Sequence, residues 1–408
     1  MKFDDYKIAK VLKTEIKQLG WQRPTDIQFK AIQPILDGED VLAIAQTGTG
    51  KTASFVIPVL NQIYHQLSKN PEHFVRALVL VPTRELAEQV EKVFIEVGKH
   101  TDIRTRSIMG GVEQESQIRD LENGVDVVIA TPGRMFDLIS QGELKVDRLQ
   151  TLILDEADHM LAMGFIKDIR DLMRHIPKER QTLFFSATID KDIKKIAYDL
   201  VRSAIRIQIS PKNPVNKNID HSVAFVEMDD KRFFLENVIK ENEDMKIMVF
   251  VRTKVRADRV VKAMERVGIT ALGIHGGVEQ EDRFAVLEAF RKGEVRVLIA
   301  TDVAARGIDI QGVGAVINYD LPDEPENYVH RVGRTGRGTE KGVAIAFCAE
   351  EEKPLLEAIE EYAGSKIEIY DISANDYKAI IQDSDDETYN WKKLIEEENK
   401  RAGKGEEW

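Results

Sequence analysis

Short apolar runs alternate with amphipathic stretches along most of the chain, and polar residues follow nearly every run. Residues 41–45 form the first run, and their length is typical of a buried strand. Further runs lie at 77–81, 125–130, 151–154 and 182–185. Because parallel strands need helical crossovers, this alternation predicts a mostly parallel α/β sheet covered by helices. Ligands bind at the carboxyl ends of such strands, where the polar clusters lie.

The first twenty residues carry a helical pattern instead. Apolar side chains recur at Ile8, Val11, Leu12, Ile16 and Leu19, which predicts a helix over residues 3–20. Pro24 then marks a turn, and a second amphipathic stretch follows it.

The alternation of strands and helices restarts after residues 210–218, a stretch rich in Pro and Asn that reads as a linker. Strands are predicted at 246–251, 295–300, 315–319 and 343–347. Two strings recur in the same order: residues 110–115 reappear at 276–281, and 128–131 are echoed at 298–301. Chance repetition is the alternative, but the shared order favours a duplicated domain.

We therefore predict a first domain at 1–209, a linker at 210–218 and a second domain at 219–370. From residue 371 the pattern weakens and an acidic run follows at 383–387, which predicts a short, charged, flexible tail over 371–408.

Length and composition narrow the class of protein. A chain of 408 residues is long for one core, which agrees with two domains. No apolar run approaches the ~20 residues that span a bilayer, and the N-terminus lacks a signal-peptide core. The single Cys348 excludes an internal disulfide, so we expect a cytoplasmic protein. The net charge of -12 neither supports nor excludes nucleic-acid binding, because an acidic protein can still carry a local basic groove.

The stretch Ala45-Gln-Thr-Gly-Thr-Gly-Lys51-Thr52 carries the strongest chemical signal. It lies between a predicted strand and a predicted helix, which is the context of a phosphate-binding loop. Gly48 and Gly50 allow a tight turn whose N–H groups point inward, and the helix N-terminus adds partial positive charge. Lys51 would reach the β- and γ-phosphates, and Thr52 would hold Mg²⁺. The second half has no such loop after its first clear strand, so one copy should hold the nucleotide and the other should act on it.

Trp21 and Gln28, just upstream of this loop, predict an adenine site. An aromatic face can stack on the base, and an amide can both donate to and accept from its edge. The alternative for Trp21 is a core or capping aromatic.

Asp155 and Glu156 follow a strand and can form the opposite wall of the phosphate site. Asp155 would hold Mg²⁺ through water, and Glu156 would polarise the attacking water as general base. The alternative is a solvated acidic cap, and it is less favoured because Lys51 and Thr52 supply the other wall of a phosphate site.

Arginines at 331, 334 and 337 surround glycines in the second half. Arginine supplied from another domain stabilises charge during phosphoryl transfer. If they reach the γ-phosphate, ATP joins the two halves and hydrolysis releases them. The alternative is a surface turn with salt bridges.

In order and spacing these motifs resemble the DEAD-box RNA helicases of superfamily 2 over residues 3–350. The resemblance includes Phe3, Gln28, AQTGTGKT (45–52), PTRELA (82–87), Gly110-Gly111, TPGR (131–134), DEAD (155–158), SAT (186–188), Val249-Phe-Val, Gln280 to Arg283, ATDVAARGID (300–309) and YVHRVGRTGR (328–337). The short tail resembles the bacterial RhlE-like group. The resemblance implies two tandem RecA-like domains.

The resemblance also implies roles for individual residues. Those expected to bind nucleotide are Phe3, Trp21, Arg23, Thr25, Gln28, Gln46, Thr47, Gly48, Thr49, Gly50, Lys51, Thr52 and Asp309. Arg334 and Arg337 would be arginine fingers beside the catalytic Lys51, Asp155 and Glu156. The RNA backbone would lie near Pro82, Arg84, Gly111, Thr131, Arg134, Arg283 and Thr301. Asp158, Ser186, Thr188 and His330 would couple ATP state to domain closure.

The chain departs from the family pattern at Trp21, Gly277 and Thr339. The usual residues there are Phe or Tyr, Asp or Ser, and Gly, and only the Gly277 departure puts a local contact in doubt.

The sequence thus predicts RNA-dependent ATP hydrolysis, with ATP and Mg²⁺, coupled to local separation of short RNA duplexes. RNA contacts would be sequence-independent, through phosphates and 2′-hydroxyls. Ribosome-assembly or RNA-decay partners fit a monomeric protein of this kind. Two alternatives remain open: an ATP-gated RNA clamp whose strand separation is incidental, and a DNA-translocating motor, which Gln28 and Asp158 disfavour.

Overall fold

The structure is a computed structural model that describes residues 2–46, 48–188, 191–209, 215–305, 310, 312–336 and 341–384, without the side chains of 191, 192 and 280. Three predicted site residues, Thr47, Asp309 and Arg337, lie outside the described residues. So do 210–214 of the predicted linker and 385–408 of the predicted tail. The chain divides into two compact units between residues 212 and 213, inside the stretch predicted as a linker.

The first unit is built on a seven-stranded parallel sheet. Its strands are β1 (Val41–Ala45), β2 (Ala77–Leu80), β3 (Thr105–Ile108), β4 (Val127–Ala130), β5 (Thr151–Leu154), β6 (Gln181–Ser186) and β7 (Ile205–Ile209). They lie in the order β3-β4-β2-β5-β6-β1-β7. Val41 of β1 pairs with Leu183 on one side and with Ile205 on the other. The strand that leads into the phosphate-binding loop is therefore flanked on both sides.

Two helices of the first unit precede β1, and the others lie between the strands, as the alternation predicts. They are α1 (Lys10–Gln18), α2 (Asp26–Leu36), α3 (Lys51–Leu67), α4 (Arg84–Val97), α5 (Gln114–Glu122), α6 (Pro132–Ser140), α7 (Ala157–Ala162), α8 (Ile166–Leu172) and α9 (Lys191–Leu200). Val41, Ala43 and Ala45 of β1 join one apolar cluster and Leu42 joins another. Because successive strand side chains point to opposite faces, this sheet has a core on each face.

The single helix predicted over residues 3–20 is wrong. A 3-10 helix covers Phe3–Asp5, and α1 begins only at Lys10. Phe3, Tyr6 and Ile8 are all buried in the core. Their spacing does not fit one face of an α-helix, so the chain buries them with a short 3-10 turn and an irregular segment before α1.

The second unit repeats the topology of the first. Its strands are β8 (Ile219–Phe225), β9 (Lys246–Val251), β10 (Ala271–Ile274), β11 (Val297–Thr301), β12 (Val313–Asn318), β13 (Gly342–Cys348) and β14 (Glu368–Ile369). They are parallel, in the order β10-β11-β9-β12-β13-β8-β14. Counted from each unit's first strand, both sheets read third, fourth, second, fifth, sixth, first, seventh. The shared strand order agrees with a duplicated domain.

Helices of the second unit are α10 (Lys231–Glu241), α11 (Lys254–Arg266), α12 (Gln280–Lys292), α13 (Asp302–Ala305), α14 (Pro325–Val332), α15 (Lys353–Ala363) and α16 (Ala374–Gln382). The flexible tail predicted from residue 371 is wrong as far as residue 384. The Tyr377 ring of α16 lies 4.8 Å from the Phe234 ring of α10, and its hydroxyl donates to Asp230 Oδ2 at 2.9 Å. Ile372 and Ile380 pack against the same core. These apolar contacts hold α16 against the second unit although its sequence shows only a weak helical pattern.

Within the described residues, none of the helices combines the length and the apolar content that a bilayer crossing requires.

Candidate active site

The loop between β1 and α3 has the geometry of a phosphate cradle. Gly48 and Gly50 have φ values of +79° and +91°, in the left-handed region that glycine adopts without strain. The Thr49 hydroxyl donates to the Gln46 carbonyl at 2.7 Å and closes the loop. Helix α3 begins at Lys51, so its first N–H groups face the loop.

Lys51 is buried, 7% exposed, and its Nζ has no hydrogen-bond partner among the described residues. An ammonium group in that position is costly unless an anion pairs with it. Thr52, the next residue on α3, is half-buried. The loop therefore presents a cation and a hydroxyl to a ligand that carries negative charge.

Gln28 ties the adenine-site candidates to this loop. Its Nε2 donates to the Gly50 carbonyl at 3.1 Å, and its Oε1 accepts from the Thr25 backbone N–H at 3.0 Å. Thr25 and Gln28 also form the capping box of α2. A Cβ at Gly50 would lie 2.6 Å from Gln28 Nε2, so the contact also depends on glycine. One hydrogen of Nε2 and one lone pair of Oε1 stay available for a base.

The other adenine-site candidates differ in exposure. Trp21 is half-buried and packs against the core, Arg23 is exposed, and Phe3 is only 4% exposed within that core. The packing of Trp21 agrees with the core-aromatic alternative, and part of the residue stays accessible.

Asp155 directly follows β5 and is 2% exposed. Burial raises its pKa to about 6, and the negative charges of Glu156 and Asp158 act in the same direction. The Lys51 ammonium and a hydrogen bond from the Glu156 backbone N–H, 3.0 Å from Asp155 Oδ1, oppose this rise. The loops that carry Lys51 and Asp155 follow β1 and β5, and both strands end at the same edge of the parallel sheet.

Glu156 has a left-handed backbone, φ 51° and ψ 48°, which is uncommon for a residue with a Cβ. It is 8% exposed and directly precedes α7. Its Oε2 lies 3.6 Å from Nδ1 of the buried His159.

Asp158 links the loops that follow β5 and β6. Its Oδ2 accepts from the Ala187 and Thr188 backbone N–H groups, each at 3.1 Å, and from the Thr188 hydroxyl at 3.2 Å. Ser186 is fully buried, and no described residue bonds to its Oγ. Three of the predicted coupling residues therefore lie together, next to the phosphate site.

The predicted RNA-contact residues of the first unit lie at the carboxyl ends of three neighbouring strands, β3, β4 and β2. The Thr83 hydroxyl caps α4 by accepting from Leu86 N–H at 3.3 Å, which places Pro82 and Arg84. Arg84 covers Gly111 so closely that a Cβ there would lie 2.1 Å from its Nη1. Arg134 donates to the Val112 carbonyl at 3.3 Å, and Thr131 precedes α6. The structure thus groups all five predicted residues.

In the second unit Arg331 has a structural role. It is 1% exposed and pairs bidentately with Asp302, at 2.6 and 2.7 Å. Its Nη1 donates to Asn318 Oδ1 and to the Asp320 carbonyl. Of the three arginines considered for the γ-phosphate, Arg331 is therefore not available to a ligand, because its burial requires its charge to be paired internally.

The remaining predicted residues of this unit lie on separate elements. Arg334 is 5% exposed, with Nε donating to the His330 carbonyl at 3.2 Å. Thr301 ends β11, and Arg283 is half-buried on α12. Their convergence on a ligand stays a prediction.

Lys254 is a candidate that the sequence reasoning missed. The Thr253 hydroxyl caps α11 by accepting from Arg256 N–H at 3.2 Å, as Thr83 caps α4. A Cβ at Gly277 would lie 3.9 Å from Lys254 Cδ, as one at Gly111 would meet Arg84. An alignment of residues 81–84 with 251–254 would have found this correspondence.

Comparisons with known proteins agree with this geometry. A family model described as DEAD/DEAH box helicase matches residues 25–196, and one described as Helicase conserved C-terminal domain matches residues 230–339. ATP-dependent RNA helicase DbpA of Bacillus subtilis is 40% identical over 366 residues, which cover 90% of this chain and 75% of DbpA. ATP-dependent RNA helicase RhlB of Pseudomonas syringae is 39% identical over 372 residues, 90% of this chain and 94% of RhlB.

A solved structure extends the similarity to the fold. The structure of S. cerevisiae Dbp5 bound to RNA and ADP BeF3 is 30% identical in sequence and matches with a TM-score of 0.82. The match covers 93% of this chain and 99% of the Dbp5 chain.

Proposed function

The chain belongs to the DEAD-box family of ATP-dependent RNA helicases, and we propose that it is an RNA-dependent ATPase that locally unwinds short RNA duplexes or remodels RNA–protein complexes. ATP binding would close its two domains, 1–209 and 219–370, on RNA, and hydrolysis would reopen them. The narrower RhlE-like resemblance stays a prediction.

The observation that carries this proposal is the placement of Lys51 and Asp155 at the same edge of the first sheet. A buried ammonium without a hydrogen-bond partner follows the glycine turn, and a buried carboxyl group, whose pKa is raised to about 6, follows β5. The phosphates of ATP would give Lys51 a negatively charged partner. A divalent cation would give Asp155 a positively charged one.

Mg²⁺ fits this donor set. The described residues contain no group of three or more His, Cys, Asp or Glu side chains that could hold a metal ion. Mg²⁺ is commonly held by one or two protein oxygens together with substrate phosphates, which here would be Thr52, Asp155 and ATP. When bound, Mg²⁺ neutralises charge that develops on the phosphate oxygens.

The residues of the first unit would then divide the work. Lys51 would hold the γ-phosphate and Glu156 would accept a proton from the attacking water. Gln46, Thr47, Gly48, Thr49 and Gly50 would surround the phosphates, while Phe3, Trp21, Arg23, Thr25 and Gln28 would hold adenine. From the second unit, Asp309 would contact the ribose, and Arg334 and Arg337 would stabilise the transferred phosphate.

RNA would bind through its backbone at Pro82, Arg84, Gly111, Thr131 and Arg134 of the first unit. Arg283, Thr301 and the newly identified Lys254 would contribute from the second. Cationic and small residues at strand ends suit contacts with phosphates and 2′-hydroxyls. Such contacts do not depend on the base sequence of the RNA.

Asp158, Ser186, Thr188 and His330 would transmit the state of ATP to the RNA site. The Asp158 bonds to the loop after β6 support this role, because that loop moves only if those bonds change. We further expect a cytoplasmic monomer that works with ribosome-assembly or RNA-decay partners.

The proposal is tested by the ATPase rate of the full chain alone, with single- and double-stranded RNA, and with DNA of the same sequence. RNA should stimulate hydrolysis and DNA should not. Glu156→Gln should retain ATP and RNA binding and lose turnover by at least 100-fold. Equal stimulation by DNA would favour the translocating motor, and ATP-dependent RNA binding without turnover would favour the clamp.

A further inference from the structure

His159 is a buried imidazole to which the DEAD-box motif assigns no role. It is 4% exposed, and neither ring nitrogen has a hydrogen-bond partner among the described residues. Burying a polar ring without such partners costs free energy, and an exception of this kind in a native fold calls for an explanation.

The nearest charged atom that the structure records for this ring belongs to Glu156. His159 Nδ1 lies 3.6 Å from Glu156 Oε2, slightly beyond a hydrogen bond. The two residues are three apart, so they meet on one side of the first turn of α7. Glu156 also holds its left-handed backbone conformation here, and two unfavourable features at one point indicate a functional constraint.

The backbone of His159 is well anchored. Its N–H donates to the Glu156 carbonyl at 3.0 Å and lies 3.1 Å from Asp158 Oδ1. Oδ2 of the same Asp158 is held by Ala187 and Thr188. Because these hydrogen bonds fix the backbone that carries it, the His159 ring can hold a neighbouring side chain in place.

We propose that His159 is a positioning residue for Glu156, with Nδ1–H closing to hydrogen-bond distance and aiming the carboxylate at the attacking water. This inference rests on the proposed function. During hydrolysis the water proton passes to Glu156, the water oxygen bonds to the γ-phosphorus, and the bond from that phosphorus to ADP breaks. His159 keeps its own proton throughout, so a neutral imidazole is sufficient.

The test is steady-state ATPase kinetics of the full chain at saturating RNA. His159→Leu should lower kcat about tenfold, because misplacing a catalytic group by a fraction of an ångström has effects of that order. KM for ATP should change less than about twofold, since the proposed role of the ring is confined to Glu156. His159→Asn places an amide N–H near the Nδ1 position and should retain at least half of kcat, whereas His159→Gln places it near Nε2 and should behave like His159→Leu.

His175→Leu is the matched control, because His175 is exposed in the same unit. A melting temperature for each variant separates a loss of fold from a loss of kcat. If His159→Leu does not fold, comparing kcat of His159→Asn with kcat of His159→Gln still tests the proposal. In a Glu156→Gln background, His159→Leu should cost nothing further.

An unchanged kcat in His159→Leu, an equal loss in the Asn and Gln variants, or a further loss in the Glu156→Gln background would each overturn the positioning role. Absence of RNA-stimulated hydrolysis in the unsubstituted chain would instead overturn the proposed function, so the two failures are distinguishable.

Discussion

At the residue scale, Asp155 shows how burial sets the behaviour of one carboxyl group. Its pKa rises from 3.8 to about 6, mainly through burial. The folded chain therefore binds this proton more tightly than the unfolded chain does. Its contribution favours folding at low pH and is lost as pH rises from about 4 through 6.

We predict that Asp155→Asn removes the part of the fall in the free energy of unfolding with rising pH that this carboxyl group causes. The free energy of unfolding of the variant, relative to the unsubstituted chain, should rise between pH 4 and pH 7 by on the order of 3 kcal/mol, since the shift is about two pKa units. Urea unfolding of the nucleotide-free, metal-free chain at several pH values measures it. Asp102→Asn, at an exposed position, is the control. A difference that does not change with pH would contradict the burial of a charged Asp155.

Gln28 offers a second prediction at this scale. Gln28→Glu keeps an oxygen for the Thr25 N–H and so keeps the capping box, but it replaces the donor to the Gly50 carbonyl with an acceptor. ATP affinity should fall at least tenfold, and the preference for ATP over GTP should narrow, while the melting temperature changes little. Isothermal titration measures both. Unchanged affinity would mean that Gln28 serves only to cap α2.

At the element scale, the loop between β3 and α5 depends on glycine and on a buried amide. Gln117 accepts from the Met109 N–H and donates to the Met109 carbonyl, both at 3.1 Å. Gly111 then turns at φ +75° beneath the Arg84 guanidinium. The position of a proposed RNA contact is therefore determined by three elements together.

We predict that Gly111→Ala lowers RNA affinity about tenfold, because the new methyl group displaces Arg84 from a phosphate contact. Gly142→Ala is the control: Gly142 has φ +79°, so the strain is similar, but nothing lies within 4 Å of the added Cβ. Fluorescence anisotropy with labelled single-stranded RNA measures affinity, and ATP binding should be unchanged in both. Equal losses in the two variants would attribute the effect to strain alone.

Helix α16 is the element that the local pattern missed. Its Tyr377 hydroxyl donates to Asp230 and accepts from the Glu227 N–H at 3.1 Å. Tyr377→Phe should destabilise this helix by about 1 kcal/mol, the usual value of such bonds, without changing the ATPase rate. Hydrogen exchange of α16 amides measures the change. Unaltered protection would show that the ring contact with Phe234 suffices.

At the scale of the whole molecule, the chain carries one cysteine, and it is buried. Burial raises the pKa of the Cys348 thiol to about 11, so it reacts slowly with labels near neutral pH. Cysteines introduced at the exposed positions Lys69 and Glu265 then report on the two units separately.

We predict that energy transfer between labels at these positions changes when ATP and RNA bind together and not with either alone. Glu156→Gln should prolong the new state, because hydrolysis would be the step that reopens the units. The same transfer efficiency with and without both ligands would contradict nucleotide-driven closure.

The strands of both sheet centres were predictable, because they are buried on both faces and read as unbroken apolar runs. The edge strands β3, β7, β10 and β14 were not predicted, nor was β8, which lies beside the short β14. In β7, Ile205, Ile207 and Ile209 alternate with Arg206 and Gln208, as expected for a strand near solvent. β7 therefore lacks the continuous apolar run that marks the central strands.

Local chemistry is what the sequence by itself determined: the glycine turn before Lys51, the acidic pair after β5, the repeated strings and the family they indicate. Such features depend on residues close together in the chain. Only the tertiary structure decided that Arg331 pairs internally, that Gln28 holds the Gly50 carbonyl, that α16 packs on α10 and that the His159 ring is buried. Each of these depends on burial or on a contact whose geometry the packed chain sets, and spacing along the sequence does not report it.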